Sequence, residues 1–217
     1  SGNPKFQNGI KFFDDSVQMV AAVNTGSVFT VDVNCPADSV QNAIDTSMPG
    51  GLLIINISGT CNETVRISRD RVYLEGISAA MIIGQDVGEG AVNVKNVQGV
   101  RMNNVDLQSA VPAPLTPATE GGYGLMVADK GEVRMSNGSI SNAAYGVFAT
   151  RTGQIWLDTV NINNVSNYGV LLTDGASARI QKSNISVNLP ETDFFEAAIA
   201  MYRGASMRIR DNSVISN

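Results

Sequence analysis

From Tyr123 to Asn217, apolar and polar residues alternate in short bursts, and the bursts recur as one phrase. Tyr123-Gly124-Leu125-Met126-Val127-Ala128 leads into Gly131-Glu132-Val133-Arg134-Met135, then Gly138-Ser139-Ile140-Ser141-Asn142. Tyr145-Gly146-Val147-Phe148-Ala149-Thr150 leads into Gly153-Gln154-Ile155-Trp156-Leu157, then Val160-Asn161-Ile162. Tyr168-Gly169-Val170-Leu171-Leu172-Thr173 opens a third copy and Ala198-Ile199-Ala200-Met201-Tyr202 a fourth; Val100-Arg101-Met102 with Val105-Asp106-Leu107 is an earlier, partial one. Alternation with a period of two predicts strands with one buried face, here broken by Gly, Asn, Asp and Ser. The interval is 22 residues from Gly124 to Gly146, 23 to Gly169 and 29 to Ala198.

A period of this size predicts a solenoid, whose units bury their apolar faces only by stacking on one another. Three short strands in 22–23 residues are the pattern of an all-β protein, a three-stranded right-handed parallel β-helix. Leucine-rich repeats would need a recurring Leu frame and a helix per repeat, and the phrase has neither. Inward positions run from Val133, Met135 and Ile140 through Ile155, Leu157 and Ile162 to Ile199, Met201, Met207 and Ile209. They are expected to stack about 4.8 Å apart along the axis.

Upstream the pattern changes. Val40, Ala43, Ile44 and Met48 form one helical stripe over 38–48, Asp38 and Gln41 have capping-box spacing, and Pro49-Gly50-Gly51 ends the run. An amphipathic helix here is expected to cover the open end of the first coil, which would otherwise expose unpaired strand groups. Coils are expected from Leu52 onward, with loop insertions at 109–122 and 187–196. The division read from the sequence is an N-terminal hairpin or assembly segment, 1–34, and a β-helix, 35–217.

Composition narrows the classes. The chain has 217 residues, 43% apolar and 16% charged, with 21 glycines, no histidine and a net charge of −5. A mildly acidic chain is a poor nucleic-acid ligand, because duplex binding is dominated by phosphate neutralisation. No apolar run is long enough to span a membrane. Ser1-Gly2 reads as a cloning remnant, and the stop just after a coil at Asn217 suggests a piece of a longer chain. Cys35 and Cys61 are either a structural disulfide or a metal or redox pair; the lack of histidine favours the disulfide. Such a bridge is worth roughly 3 kcal/mol through loop-closure entropy, and it implies an oxidising compartment.

Two resemblances go beyond periodicity. Ser39-Val40-Gln41-Asn42-Ala43-Ile44-Asp45, through Ser58-Gly59-Thr60-Cys61-Asn62-Glu63 to Gly76, resembles the N-terminal cap of pectate-lyase-like β-helix proteins, and the likeness continues over the coils to Asn217. Gly9-Ile10-Lys11-Phe12-Phe13-Asp14-Asp15-Ser16-Val17-Gln18-Met19-Val20-Ala21 resembles a phrase of phage tail fibres and related bacterial surface proteins, with departures at Asp15 and Val20. That second likeness implies a neighbouring trimeric assembly. The first implies a fold that hosts many functions.

Two outward ladders stand out. Met126, Phe148 and Leu171 occupy outward positions that a solvated sheet would give to polar residues, and mark either a subunit interface or a face covered by the chain's own segments. Arg101, Arg134, Trp156, Arg179 and Arg208 form the second ladder, with the only Trp inside a row of Arg. Like charges one strand apart repel, so this face is either a groove for an acidic polysaccharide or a solvated or intersubunit salt-bridged face with Glu132, Asp158 and Asp211. The two loop insertions are expected to wall a cleft floored by Tyr145, Phe148, Tyr168 and Leu171, which adds Tyr145 and Tyr168 to the candidate ligand-binding residues.

Catalytic signals are sparse. Asp129 and Asp174 fall about 9.6 Å apart, two strand spacings, near the separation used by inverting glycosidases. Arg151 between them would hold both ionised, and a salt-bridge ladder with Arg203 is the favoured reading. The polygalacturonase-like Asn-Thr-Asp, Asp-Asp and Gly-His-Gly motifs are absent from the coils, as is the Asp-Pro-His-Glu motif of β-helix epimerases. No catalytic residue is singled out, whether the protein is an enzyme is left open with the balance against it, and no metal site or cofactor is expected. Five Asn-x-Ser/Thr sequons, at Asn56, Asn62, Asn137, Asn164 and Asn184, follow from the turn chemistry of the repeat. The expectation is a secreted, periplasmic, cell-surface or virion-surface β-helix, trimeric, that binds a polysaccharide or surface glycan as a spike or adhesin-like module. The alternatives are a polysaccharide lyase or glycoside hydrolase of tailspike type working in the cleft, and a structural stalk.

Overall fold

The computed structural model describes residues 10–11, 17–18, 27–109, 122–188, 197–211 and 214–216. The short strands β1 (Ile10–Lys11) and β2 (Val17–Gln18) pair antiparallel ahead of the coils. Then come β3 (Val28–Asn34), α1 (Val40–Thr46), β4 (Leu52–Asn62), β5 (Val65–Ile67), β6 (Val72–Ile83), β7 (Gly90–Lys95), β8 (Val100–Asn103) and β9 (Asp106–Gln108). The repeated phrase forms β10 (Tyr123–Ala128), β11 (Glu132–Ser136) and β12 (Ser139–Ser141), then β13 (Ala143–Ala149), β14 (Gln154–Asp158) and β15 (Asn161–Ile162). It continues as β16 (Val165–Leu172), β17 (Ser177–Gln181) and β18 (Asn184–Ser186), then β19 (Ala197–Met201), β20 (Ser206–Arg210) and β21 (Val214–Ser216). The loop insertions lie almost wholly outside the described residues.

Past β2, every strand pairing is parallel. The first strand of each phrase enters a six-stranded sheet, β19-β16-β13-β10-β7-β5. The second and third strands enter one large sheet, β20-β17-β14-β11-β8-β6-β9-β12-β15-β18-β21, whose two arms meet at the long strand β6. β3 and β4 extend this sheet beyond β6, so pairing already begins at Val28, ahead of the boundary expected at Cys35.

The core is a set of stacked apolar rows. Val100, Val133 and Ile155 are register partners in successive coils, as are Met102, Met135 and Leu157, and all are buried. Two expected core positions depart from this: Met201 is 49% exposed and Ile209 44%. Their strands, β19 and β20, end their sheets among the described residues, so no further coil covers them.

Gly146 explains the recurring glycine of the phrase. A Cβ there would lie 2.6 Å from Ile162 Cγ2 of its own coil and 2.6 Å from the Gly169 carbonyl oxygen of the next. Gly124 and Gly169 meet the same pair of obstacles, in Ile140 with Gly146 and in Ile185 with Ala198.

At the N-terminal side α1 buries Val40, Ala43 and Ile44. Its N-cap is Ser39, one residue later than the capping box expected from Asp38; the Ser39 hydroxyl accepts from the Asn42 amide. Asp38 instead accepts from the Asn34 amide at 3.0 Å. The residue that completes the cap comes from the next coil. Glu63 accepts from the Ser39 hydroxyl at 2.7 Å and from the Val40 and Gln41 amides at 2.8 and 3.1 Å, satisfying donors that every helix start leaves open. Cys35 and Cys61 form a disulfide, with Cα atoms 5.0 Å apart.

Candidate functional site

The outward ladder on the large sheet forms in the expected register. Tyr73 pairs with Arg101, Arg101 with Arg134, Arg134 with Trp156, Trp156 with Arg179 and Arg179 with Arg208. Inward neighbours point each residue outward: Val133 and Met135 flank Arg134, and Ile155 and Leu157 flank Trp156. Two residues along the strands, again on the outward face, runs a second ladder of Asn103, Ser136, Asp158 and Gln181. Together these rows line an open groove of about 460 Å³ that takes in Tyr73, Arg101, Arg134, Trp156, Asp158 and Arg179. Arg208 is the next rung beyond its lining.

Within one chain, few carboxylates meet the cations of the groove among the described residues. Arg134 reaches Glu132 at 3.8 Å, but Asp158 and Asp211 form no ion pair with the ladder among the described residues. Arg179 donates to the Gln181 side chain at 3.0 Å. The Arg134 guanidinium lies over the Trp156 ring, 4.8 Å from its centre, which fixes both side chains by a cation–π contact. At the far end, a hydrogen bond to Glu75 is the largest effect holding the Tyr73 phenol above its usual pKa, and burial adds to it.

Tyr145 and Tyr168 are elsewhere. They lie on the six-stranded sheet, not beside Trp156, in a row Tyr123–Tyr145–Tyr168 with ring centres 5.0 and 5.8 Å apart. Tyr145 therefore lies between two stacked tyrosines. The neighbouring row Met126–Phe148–Leu171 is half-buried, and Tyr123 stacks on Phe148 at 5.1 Å. Part of the cover over this apolar row thus comes from the same chain. A second hollow of about 400 Å³ lies at the N-terminal end of this face, lined by Arg66, Asn93, Lys95, Met126 and Arg151.

Residues 89–217 match the family model described as the right-handed β-helix region. The chain belongs to the right-handed β-helix family. No curated protein and no solved structure matches it.

In this β-helix the turn after each first strand carries the candidate acids. Asp129 pairs with Arg151 at 2.8 Å and Lys95 at 3.4 Å, while Asp174 pairs with Arg203 at 3.4 Å. Arg151 thus bridges to Asp129 and not to both aspartates; Asp174 takes its second contact from the Thr150 hydroxyl at 3.1 Å. That hydrogen bond is the largest effect holding the Asp174 carboxyl below its usual pKa, with Thr173 and Arg203 adding to it. A general acid needs the opposite shift, which argues against that role for Asp174. The one candidate metal cluster among the described residues, Cys35, Cys61 and Glu63, consists of the disulfide and the helix-capping carboxylate. No helix among the described residues is long and apolar enough to cross a membrane. The disulfide is compatible with an extracellular location.

Sequence reasoning missed Tyr73 as a groove residue. The signal was present: Val72-Tyr73-Leu74 has the same in-out-in order as Val133-Arg134-Met135.

Proposed function

We propose that this β-helix is an extracellular or surface module that binds acidic glycans along the Arg–Trp groove. The observation that carries the reading is the Arg134–Trp156 stack, set in a groove that also holds Arg101 and Arg179 without carboxylate partners among the described residues. Guanidinium groups pair with carboxylates and sulfates, and an indole supplies the flat apolar surface that a sugar ring stacks against. The three strands per turn read as a three-stranded solenoid of pectate-lyase type, closed at its N-terminal end by α1. The half-buried row Met126–Phe148–Leu171 and the tail-fibre-like segment support assembly as a trimer. Among the described residues Asp158 is the one carboxylate lining the groove, whereas glycosidases ordinarily use two; binding therefore accounts for this surface better than hydrolysis.

Trp156 is the only tryptophan in the chain, so intrinsic fluorescence reports on the groove directly. Titration with acidic polysaccharides is expected to change its emission, with neutral polysaccharides inert. Trp156→Ala is expected to lose retention on an acidic-polysaccharide matrix while keeping the β circular dichroism of the parent. Equal retention of parent and variant would sink the assignment.

A further inference from the structure

The cations of the groove are not evenly spaced. Arg101 and Arg134 are neighbours, then comes the Trp156 rung, then Arg179 and Arg208. The gap is doubly marked, because Asp158 lies two residues along the same strand and also lines the groove. Its carboxylate accepts a hydrogen bond from the Thr159 hydroxyl at 3.1 Å and makes no ion pair among the described residues. A ligand lying along the helix axis therefore meets positive charge, then an indole beside a carboxylate, then positive charge again.

Resting on the glycan-binding reading above, we infer that the groove selects a heteropolymer in which an uncharged or N-acetylated sugar separates acidic ones, and discriminates against an acidic homopolymer. Arg134 and Arg179 stand two strand spacings apart, about 9.6 Å. A chain with an anion on every sugar would place one on the Trp156 rung between them. There it would lie beside Asp158, with the nearest guanidinium, that of Arg134, already engaged on the indole. Like charges at close range are a repulsive element, and such elements confer specificity as much as attractive ones do. An uncharged sugar avoids that repulsion. Its hydroxyls or acetamido N–H donate to Asp158, and its ring packs on the indole. Arg134 covers one face of Trp156, so the sugar packs on the indole surface that Arg134 leaves uncovered. Asp158 is thus a specificity-determining residue, and Arg134 and Arg179 are the anion clamps on either side.

The test uses the whole chain and two defined probes of equal length: hyaluronan oligosaccharides, which alternate a uronate with N-acetylglucosamine, and polygalacturonate oligosaccharides, with a carboxylate on every sugar. Affinities are read from Trp156 fluorescence at one fixed ionic strength, because both are salt-sensitive. The parent is expected to prefer the alternating probe. Asp158→Asn is expected to raise polygalacturonate affinity about fivefold by removing one close like charge, and to lower hyaluronan affinity, because the uncharged sugar's donors lose a charged acceptor. Unchanged circular dichroism and thermal midpoint would show the variant folded. Preference of the parent for polygalacturonate, or a ratio that Asp158→Asn does not move, overturns the inference while leaving glycan binding intact. Failure of both probes to perturb Trp156 overturns the binding reading itself.

Discussion

Arg134 lies over Trp156, 4.8 Å from the ring centre, although the two belong to different coils and stand 22 residues apart in sequence. Parallel register makes them direct cross-strand partners, and a cation–π contact at such a half-open site contributes about 0.5–1 kcal/mol. Arg134→Ala is expected to cost little stability but to leave the indole more open to water, with emission shifted to the red. Before mutation, iodide should quench Trp156 more strongly than caesium does, because the surrounding guanidinium groups attract anions. That preference should shrink in the variant. Equal quenching by the two ions in the parent would mean that the groove is not electropositive around Trp156.

Gly146→Ala is expected to destabilise the chain although alanine is the better residue by backbone entropy. Restricting the unfolded chain contributes about 0.4–1 kcal/mol in favour of alanine. Against this, the new Cβ would meet Ile162 Cγ2 and the Gly169 carbonyl oxygen at 2.6 Å, and overpacking costs about 1–3 kcal/mol. Overpacking therefore wins, lowering Tm by about 2–4 °C for each net kcal/mol lost. Ala198 occupies the same row in β19, the last strand of its sheet. Ala198→Gly should accordingly bring no gain. A Gly146→Ala chain as stable as the parent would mean that the coils are not packed this closely.

The register of the Arg–Trp ladder was legible because in-out-in triplets such as Val133-Arg134-Met135 and Ile155-Trp156-Leu157 repeat within one phrase. Contacts that cross phrases were harder to read. Glu63 caps α1 from beyond β4, 24 residues after Ser39, and local spacing pointed to Asp38 instead. Tyr145 and Tyr168 were placed by loop position as the floor of a cleft; their stacking on each other depends on the close alignment of successive first strands. Met201 and Ile209 match the inward pattern as well as Val147 does. Their exposure comes from position at a sheet end, which alternation does not encode. The uneven spacing of cations around Trp156 was visible in the phrase, but the sharing of one groove by Asp158 and Trp156 required the fold.

Acid should weaken the turn ladder in a defined direction. The Thr150 hydroxyl, then Thr173 and Arg203, hold the folded Asp174 carboxyl below its usual pKa. A depressed folded pKa contributes stability that is fully present above the unfolded value, about 3.9, and is lost as pH falls through the folded value. Asp174 is solvent-accessible, so its contribution is small. The Tm difference between the parent and Asp174→Asn should be greatest near neutral pH and should close below about pH 4. A difference that widens on acidification would contradict the Thr150–Asp174 contact.

The start of α1 is held by two linked devices. Cys35 precedes the Ser39 cap and is bridged to Cys61, and Glu63, two residues beyond Cys61, accepts from the Val40 and Gln41 amides. Reducing the disulfide is expected to cost roughly 3 kcal/mol through the freed loop. Glu63→Ala leaves two amide donors and the Ser39 hydroxyl without their acceptor, at about 1–3 kcal/mol. The two losses should not add, since each device positions the same helix start and interactions that share partners couple by about 0.5–3 kcal/mol. Once the bridge is reduced, α1 is freer to leave β4 and β5, and the Glu63 contacts that remain are worth less. Thermal melts of parent and Glu63→Ala, each oxidised and reduced, complete the cycle. A Glu63→Ala loss of the same size in both redox states would show that the carboxylate and the disulfide act independently.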